Sequence, residues 1–287
     1  MTSRPLPFRH SGEGRNPSFS SRDGLAVDPG WSLSSGAPTA RPGGRGDEER
    51  IGDEKSGNGE AVANLSPAAL QKLLAWLSPA FPVGAYTYSH GLEWAVEDGT
   101  VRDAATLEAW LADILRHGAG RNDAILFSAA YRAEGDALRA VAELGAAFQP
   151  SKERHLEATA QGRAFLSAVI AAWPNARLAA AEGALSGATL PYPVAVAVAS
   201  AAHDVPLVPA LTATLAAFIA NVASAGVRAI PVGQTDGQRT IAALGPVIAA
   251  VTASAEGATL DDLGGAALRA DIASMKHETQ YTRLFRS

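Results

Sequence analysis

Residues 205–227, VPLVPALTATLAAFIANVASAGV, carry no charged side chain, and how this run is read sets the class of the whole chain. At 1.5 Å of rise per residue a helix of this length reaches about 35 Å, enough to cross a bilayer. The composition argues otherwise. Ala, Thr, Ser, Pro and Asn221 dilute the Leu, Ile and Phe, and no Lys/Arg cluster flanks the run. A helix that is apolar all round is also what the centre of a helical bundle or an oligomer interface requires. The run is read as a core or interface helix, with a membrane-associated helical protein as the weaker rival.

The flanking sequence repeats the helical pattern from Asn64 onward. Ser66 before Pro67 is an N-cap with proline at the first helical position, and Leu70, Leu73, Leu74 and Leu77 form the apolar stripe. The Pro/Gly-rich segment Ser78 to Gly84 ends that helix. A second is predicted from Ser89 to Glu97, ending at Gly99. A third starts at Asp103 or Thr106 and carries Leu107, Trp110, Leu111 and Ile114 on one face. Asn122 is the expected cap of a continuation with Ile125, Leu126 and Phe127. Further helices fit 136–147, 152–172, 175–186, 193–203, 207–225, 234–253 and 260–275. Only Pro193–Ala199 alternates Val and Ala as a strand would, and its alanines favour helix. The expected fold is all-α, one globular domain of about ten helices spanning 61–276, with a C-terminal tail at 277–287.

Residues 1–60 differ. They hold 11 Gly, 6 Pro and 9 Ser, and Phe8, Phe19, Trp31 and Ile51 follow no helical or strand period. Such a segment buries too little apolar area to offset its ordering entropy, so it is expected to be disordered. Arg9 to Pro17 reads as translated non-coding sequence, which places the expected start near Val62. No apolar stretch with a basic flank opens the chain, so no secretory signal is visible and a cytoplasmic location is expected.

The 287 residues include 24 basic and 29 acidic side chains, a net charge of -5, which argues against nucleic acid as a partner. The absence of cysteine excludes thiolate metal sites and cysteine nucleophiles. There is no P-loop motif, and Gly43-Gly44-Arg45-Gly46 lacks the spacing of a dinucleotide site. Gly233-Gln234-Thr235-Asp236-Gly237 mimics a nucleophile elbow, yet a helix N-terminus capped by Thr235 or Asp236 explains it better. His90, His117, His155, His203 and His277 form no metal-ligand pair in sequence. Glu93 and Glu97 share a helical face, read as a solvated one. No catalytic constellation, metal site or cofactor site is expected.

Two segments resist so plain a reading. Residues 79–94 place aromatics and Gly in a loop between two helices. The tail, His277 to Ser287, is too polar for a core and too rich in Tyr, Leu, Phe and Arg for idle disorder; Tyr and Arg are residues that anchor interfaces.

These segments carry a resemblance. Ser78-Pro79-Ala80-Phe81-Pro82-Val83-Gly84-Ala85-Tyr86-Thr87-Tyr88-Ser89-His90-Gly91-Leu92-Glu93 is similar to the signature of the urease accessory protein UreF family. So are Pro231-Val232-Gly233-Gln234-Thr235-Asp236-Gly237-Gln238-Arg239 and the ending from Met275 to Ser287. Order and spacing match across about 65–287, with His90 standing where the family more often has Gln. The resemblance implies an all-α homodimer, not itself an enzyme. It implies a nickel-insertion chaperone component that bridges a UreD/UreH-like accessory protein and a UreG-like GTPase on apo-urease. It implies that Tyr281, Arg283, Leu284, Phe285 and Arg286 contact the UreD-like partner, the apolar members filling pockets and the two Arg forking onto carboxylates or carbonyls. Ser89, His90, Gly91, Glu93, Gln234, Gln238 and Arg239 are then candidates for positioning the GTPase or shaping a polar centre. Gly84 and Gly91 would permit close helix packing. An alternative is a GTPase-activating protein in the strict sense, with Arg239 acting in trans as an arginine finger.

Overall fold

The computed structural model describes residues 65–287, and these form twelve α-helices, two short 3-10 turns and no β-strand. The expectations for residues 1–60 and for a start near Val62 lie outside the described residues. The helices are α1 (Pro67–Trp76), α2 (Leu92–Glu97), α3 (Ala104–His117), α4 (Ala119–Arg132), α5 (Gly135–Ala147) and α6 (Lys152–Ala172). They continue as α7 (Ala176–Ala184), α8 (Tyr192–Ala202), α9 (Leu207–Ala229), α10 (Gln234–Ala243), α11 (Gly245–Glu256) and α12 (Leu268–His277).

The local signals at the helix starts act as the chemistry requires. Ser66 Oγ accepts from Ala69 N at 3.1 Å, with Pro67 in the first turn. Asp103 and Thr106 begin α3 together as a capping box. Thr106 N donates to Asp103 Oδ1 at 2.8 Å, and Asp103 N donates to Thr106 Oγ1 at 3.0 Å.

Four boundaries differ from the sequence reading. Helix α2 begins at Leu92 instead of Ser89, because His90 (φ 57°) and Gly91 (φ 76°) are both left-handed and cannot join a right-handed helix. Helix α4 begins at Ala119, and Asn122 instead uses its Oδ1 to accept from Gly264 N at 3.1 Å, tying down a distant loop. The predicted helix 234–253 breaks at Leu244 into α10 and α11, where Pro246 removes a backbone donor. Neither Thr235 nor Asp236 caps α10; Gly233 holds that position without a side-chain bond. Between 260 and 275 only a 3-10 turn (Leu260–Asp262) and the later α12 form, separated by Gly264 and Gly265.

The core is organised about α8, which packs against α4, α5, α6, α7 and α9. The Val/Ala run Pro193–Ala199 is buried on every side, so a pattern that looks strand-like is a helix with no solvent face. Its alanines keep the neighbouring helices close. Helix α9 is long and apolar enough to cross a membrane, but it packs against α2, α3, α4, α8, α10 and α11. Ala210, Leu211, Leu215, Ile219, Val222 and Ala223 point into the core.

The two loop glycines have different reasons. A Cβ on Gly91 would lie 2.6 Å from the backbone N of Ser274 in α12, so a left-handed φ and a close approach coincide. Gly84 (φ 72°) has open space about its Cβ and serves the turn alone, which corrects the expectation of close packing there. Gly91→Ala is expected to destabilise the chain by at least about 2 kcal/mol, from backbone strain plus overlap. Gly84→Ala is expected to cost about 1 kcal/mol, from φ alone. Urea unfolding of both variants tests the ordering.

Candidate functional site

The loop before α2, the first three turns of α6 and the end of α12 converge, and the C-terminal segment lies across them. Helix α6 contributes Arg154, Glu157 and Gln161, spaced i, i+3 and i+7 and therefore on one face. All three are buried. Arg154 donates to Glu157 Oε2, and His90 Nε2 lies 2.7 Å from Glu157 Oε1. Gln161 Nε2 donates to the same Oε1 at 3.1 Å, and Ser287 Oγ donates to Oε2 at 2.6 Å. Burial alone would push the Glu157 carboxyl up, but Arg154, then His90 and the Ser287 hydroxyl outweigh it and hold it down to about 2. Burial, reinforced by Arg154, keeps His90 below the ordinary imidazole value against the pull of Glu157. Asp123 on α4 faces the same group of charges. Burial raises its carboxyl to about 7, with Arg154 opposing and Glu157 adding to the rise.

Glu93 organises the other half. It is 8% exposed, so the solvated face expected from sequence is not what forms. Its Oε1 accepts from Leu284 N at 2.6 Å, and its Oε2 from Phe285 N at 3.0 Å and His277 Nε2 at 3.1 Å. His277 is fully buried, and its Nδ1 lies 2.6 Å from Glu153 Oε2, so one imidazole bridges two carboxylates. Glu153 Oε1 also accepts from Arg283 at 2.7 Å. Ser89, 0% exposed, donates through both its backbone N and its hydroxyl to the Ser287 carbonyl oxygen. Arg286 N donates to Thr87 O at 2.8 Å. Glu97 is exposed and accepts from Gln280 Nε2.

The segment is thus divided by orientation. Phe285 and Ser287 are buried in their own chain, and Arg283 is paired with Glu153. Tyr281 is fully exposed and Leu284 is 73% exposed. The Arg286 side chain is exposed; its guanidinium draws the Tyr88 phenol down while burial, the larger influence, pushes it up.

Ser89, His90 and Glu93 therefore come together with the C-terminal segment. Gln234, Gln238 and Arg239 do not join them. All three lie exposed on α10, and Arg239 donates to Asp236 Oδ1 at 2.7 Å on its own helix. Gln238, a candidate for shaping a polar centre, is at the surface instead.

The sequence reading missed several members. Arg154, Glu157 and Gln161 were masked by the charged start of α6, although their i, i+3, i+7 spacing marks a polar stripe. Arg228 carried no signal. Its guanidinium sits 3.7 Å from the Tyr86 ring centroid and 4.5 Å from that of Phe285, and it donates to Tyr86 O at 3.0 Å.

Chemically, the carboxylates of Glu93, Glu153 and Glu157 each meet a basic side chain, and no described residues group three His, Asp or Glu as a metal would need. The arrangement defines a helical protein whose buried polar centre grips its own C-terminal segment and presents part of it to solvent. The UreF family profile matches residues 101–245. A urease accessory protein UreF of Rhodopseudomonas palustris is 57% identical over 231 residues, covering 79% of this chain and 95% of the relative. Those of Methylobacterium sp. (55% identical; 75% and 87% covered) and Bradyrhizobium diazoefficiens (52%; 80% and 96%) are similar over nearly the same span. The chain belongs to the UreF family of urease accessory proteins.

The folded state holds the Asp123 proton to higher pH than the unfolded chain does. Its contribution to stability is therefore present below about pH 4 and lost as pH rises through 7. Asp123→Asn is expected to raise Tm above that of the parent chain by more at pH 8 than at pH 5. Equal shifts at the two pH values in calorimetry would overturn this account.

Proposed function

We propose that the chain is a non-catalytic assembly factor in urease maturation. In this reading it is a cytoplasmic homodimer that binds a UreD/UreH-like accessory protein and brings a UreG-like GTPase to apo-urease for nickel insertion. The family supports the urease accessory role, since its members carry that name. The observation that carries the docking assignment is the split of the C-terminal segment. Its backbone and alternate side chains are held by Glu93, Glu157 and Ser89, so Tyr281 and Leu284 project from a fixed platform. A preorganised segment loses less entropy on binding than a free tail. The exposed face continues along α12, where Leu268, Ile272 and Met275 follow at i, i+4 and i+7. This apolar strip is the docking surface for the UreD-like protein. The exposed α10 residues Gln234, Gln238 and Arg239 are the contact offered to the GTPase. Arg239 acts there as a surface contact already paired with Asp236, not as an inserted catalytic group.

Tyr281→Ala combined with Leu284→Ala removes two exposed side chains and leaves the clamp intact. In pull-downs with the full chain, this variant is expected to lose at least about tenfold in affinity for the UreD-like protein, with an unchanged circular dichroism spectrum. Undiminished capture would move the interface elsewhere. Arg239→Ala is expected to leave GTP turnover by the cognate GTPase within about twofold. A fall of about a thousandfold would instead assign it the role of an arginine finger.

A further inference from the structure

Helix α12 carries its apolar strip between two flanks of opposite charge. At about 3.6 residues per turn, the exposed Leu268, Ile272 and Met275 share one side of the helix. Arg269 and Lys276 line one edge of that strip, roughly 80° from its centre. Asp271 and the C-cap residue Glu278 line the other edge, at a similar angle. The two cations are exposed, whereas the two acids are half-buried. Glu278 Oε1 accepts from Lys152 N at 2.8 Å, so the acidic edge faces the start of α6 and the cationic edge turns away from it.

The acidic edge opens on a recess of about 110 Å³, walled by Asp271, the start of α4 and the 148–150 turn. Asp123 of α4 shares that wall. Burial pushes both carboxyls up, and Arg154, the cation that opposes this rise, is bonded to Glu157 instead. A carboxylate withdrawn from water and bonded to no cation gains from one that arrives. The recess admits the head of one lysine or arginine side chain.

Basic amphipathic helices also settle on anionic lipid surfaces. Such a surface would repel Asp271 and Glu278, and it has no lip that meets one edge alone. The two-sided charge therefore favours a protein.

We propose that the partner seated on α12 offers an apolar groove with an acidic lip opposite Arg269 and Lys276, and a basic side chain that enters the recess beside Asp271. The two flanks then fix the direction in which the helix lies, because turning it end for end brings like charges together. This rests on the reading of α12 as the docking surface and names the chemistry that this surface selects.

Biolayer interferometry of the full chain against the UreD-like protein, at low and high salt, is the test. Lys276→Glu and Arg269→Glu are each expected to weaken binding at least about fivefold at low salt, mainly in association rate, and less at high salt. Arg177→Glu makes the same charge change on the exposed side of α7 and is expected to stay within about twofold. Asp123→Asn, the more stable chain at pH 8 by the argument above, is expected to lose at least about fivefold in affinity. A packing defect would lower stability and affinity together. Undiminished binding by the two cation variants, or by Asp123→Asn, overturns the proposal. So does an equal loss with Arg177→Glu, which would mark a net-charge effect. Sedimentation of the parent chain with phosphatidylserine vesicles, abolished by Lys276→Glu, would overturn it in favour of a membrane. Failure of the parent chain to bind the UreD-like protein at all would remove the docking reading itself.

Discussion

The carboxylate of Glu93 is the constraint on which the seating of α12 and of the C-terminal segment depends. A carboxylate withdrawn from water must recover its lost hydration through donors, and each of its oxygens finds them in the chain's last eleven residues. Two are backbone amides of the C-terminal segment and one is the imidazole of His277, which in turn binds Glu153. Burial of the acid, seating of α12 and docking of the segment are therefore one event. Removing any member would leave a buried charge or amide without its partner, a larger loss than the bond itself contributes.

The second constraint is the polar stripe of α6. Arg154 and Glu157 are buried together, and such a pair is tolerable only when its remaining lone pairs and protons are used. His90, Gln161 and Ser287 use them. The left-handed backbone at His90 and Gly91 is what turns the imidazole toward Glu157 while the chain passes within reach of α12. Loop geometry, core electrostatics and the position of the C-terminal segment thus share the same few residues. The family role then rests on what that shared platform leaves exposed, namely Tyr281, Leu284 and the outer face of α12.

Much of the fold was legible in the sequence. Ser66-Pro67 and the Asp103–Thr106 box stand where caps are needed, and the apolar period of α3 and the range expected for α6 lie close to the helices that form. Where the reading failed, a local signal competed with a distant partner. Asn122 looks like a cap but spends its side chain on Gly264, 142 residues away in sequence. Glu93 looks solvated because nothing nearby in sequence could satisfy its carboxylate, whereas Glu97 on the same face is exposed as expected; the donors to Glu93 arrive from α12 and beyond. Arg228 carries no local pattern at all, since its partners Tyr86 and Phe285 come from opposite ends of the described chain.

The helical class, the family and the segments of functional interest follow from the order of residues, because capping, periodicity and motif spacing act within a few turns of chain. Whether an acid is buried or solvated, and which face of the ending is gripped and which is free, follow only from the three-dimensional packing. Those properties depend on dielectric surroundings and on donors from remote segments. The Val/Ala run of α8 illustrates both sides. Its composition already excluded water on some face, but only the surrounding α4, α5, α6, α7 and α9 exclude it on all of them.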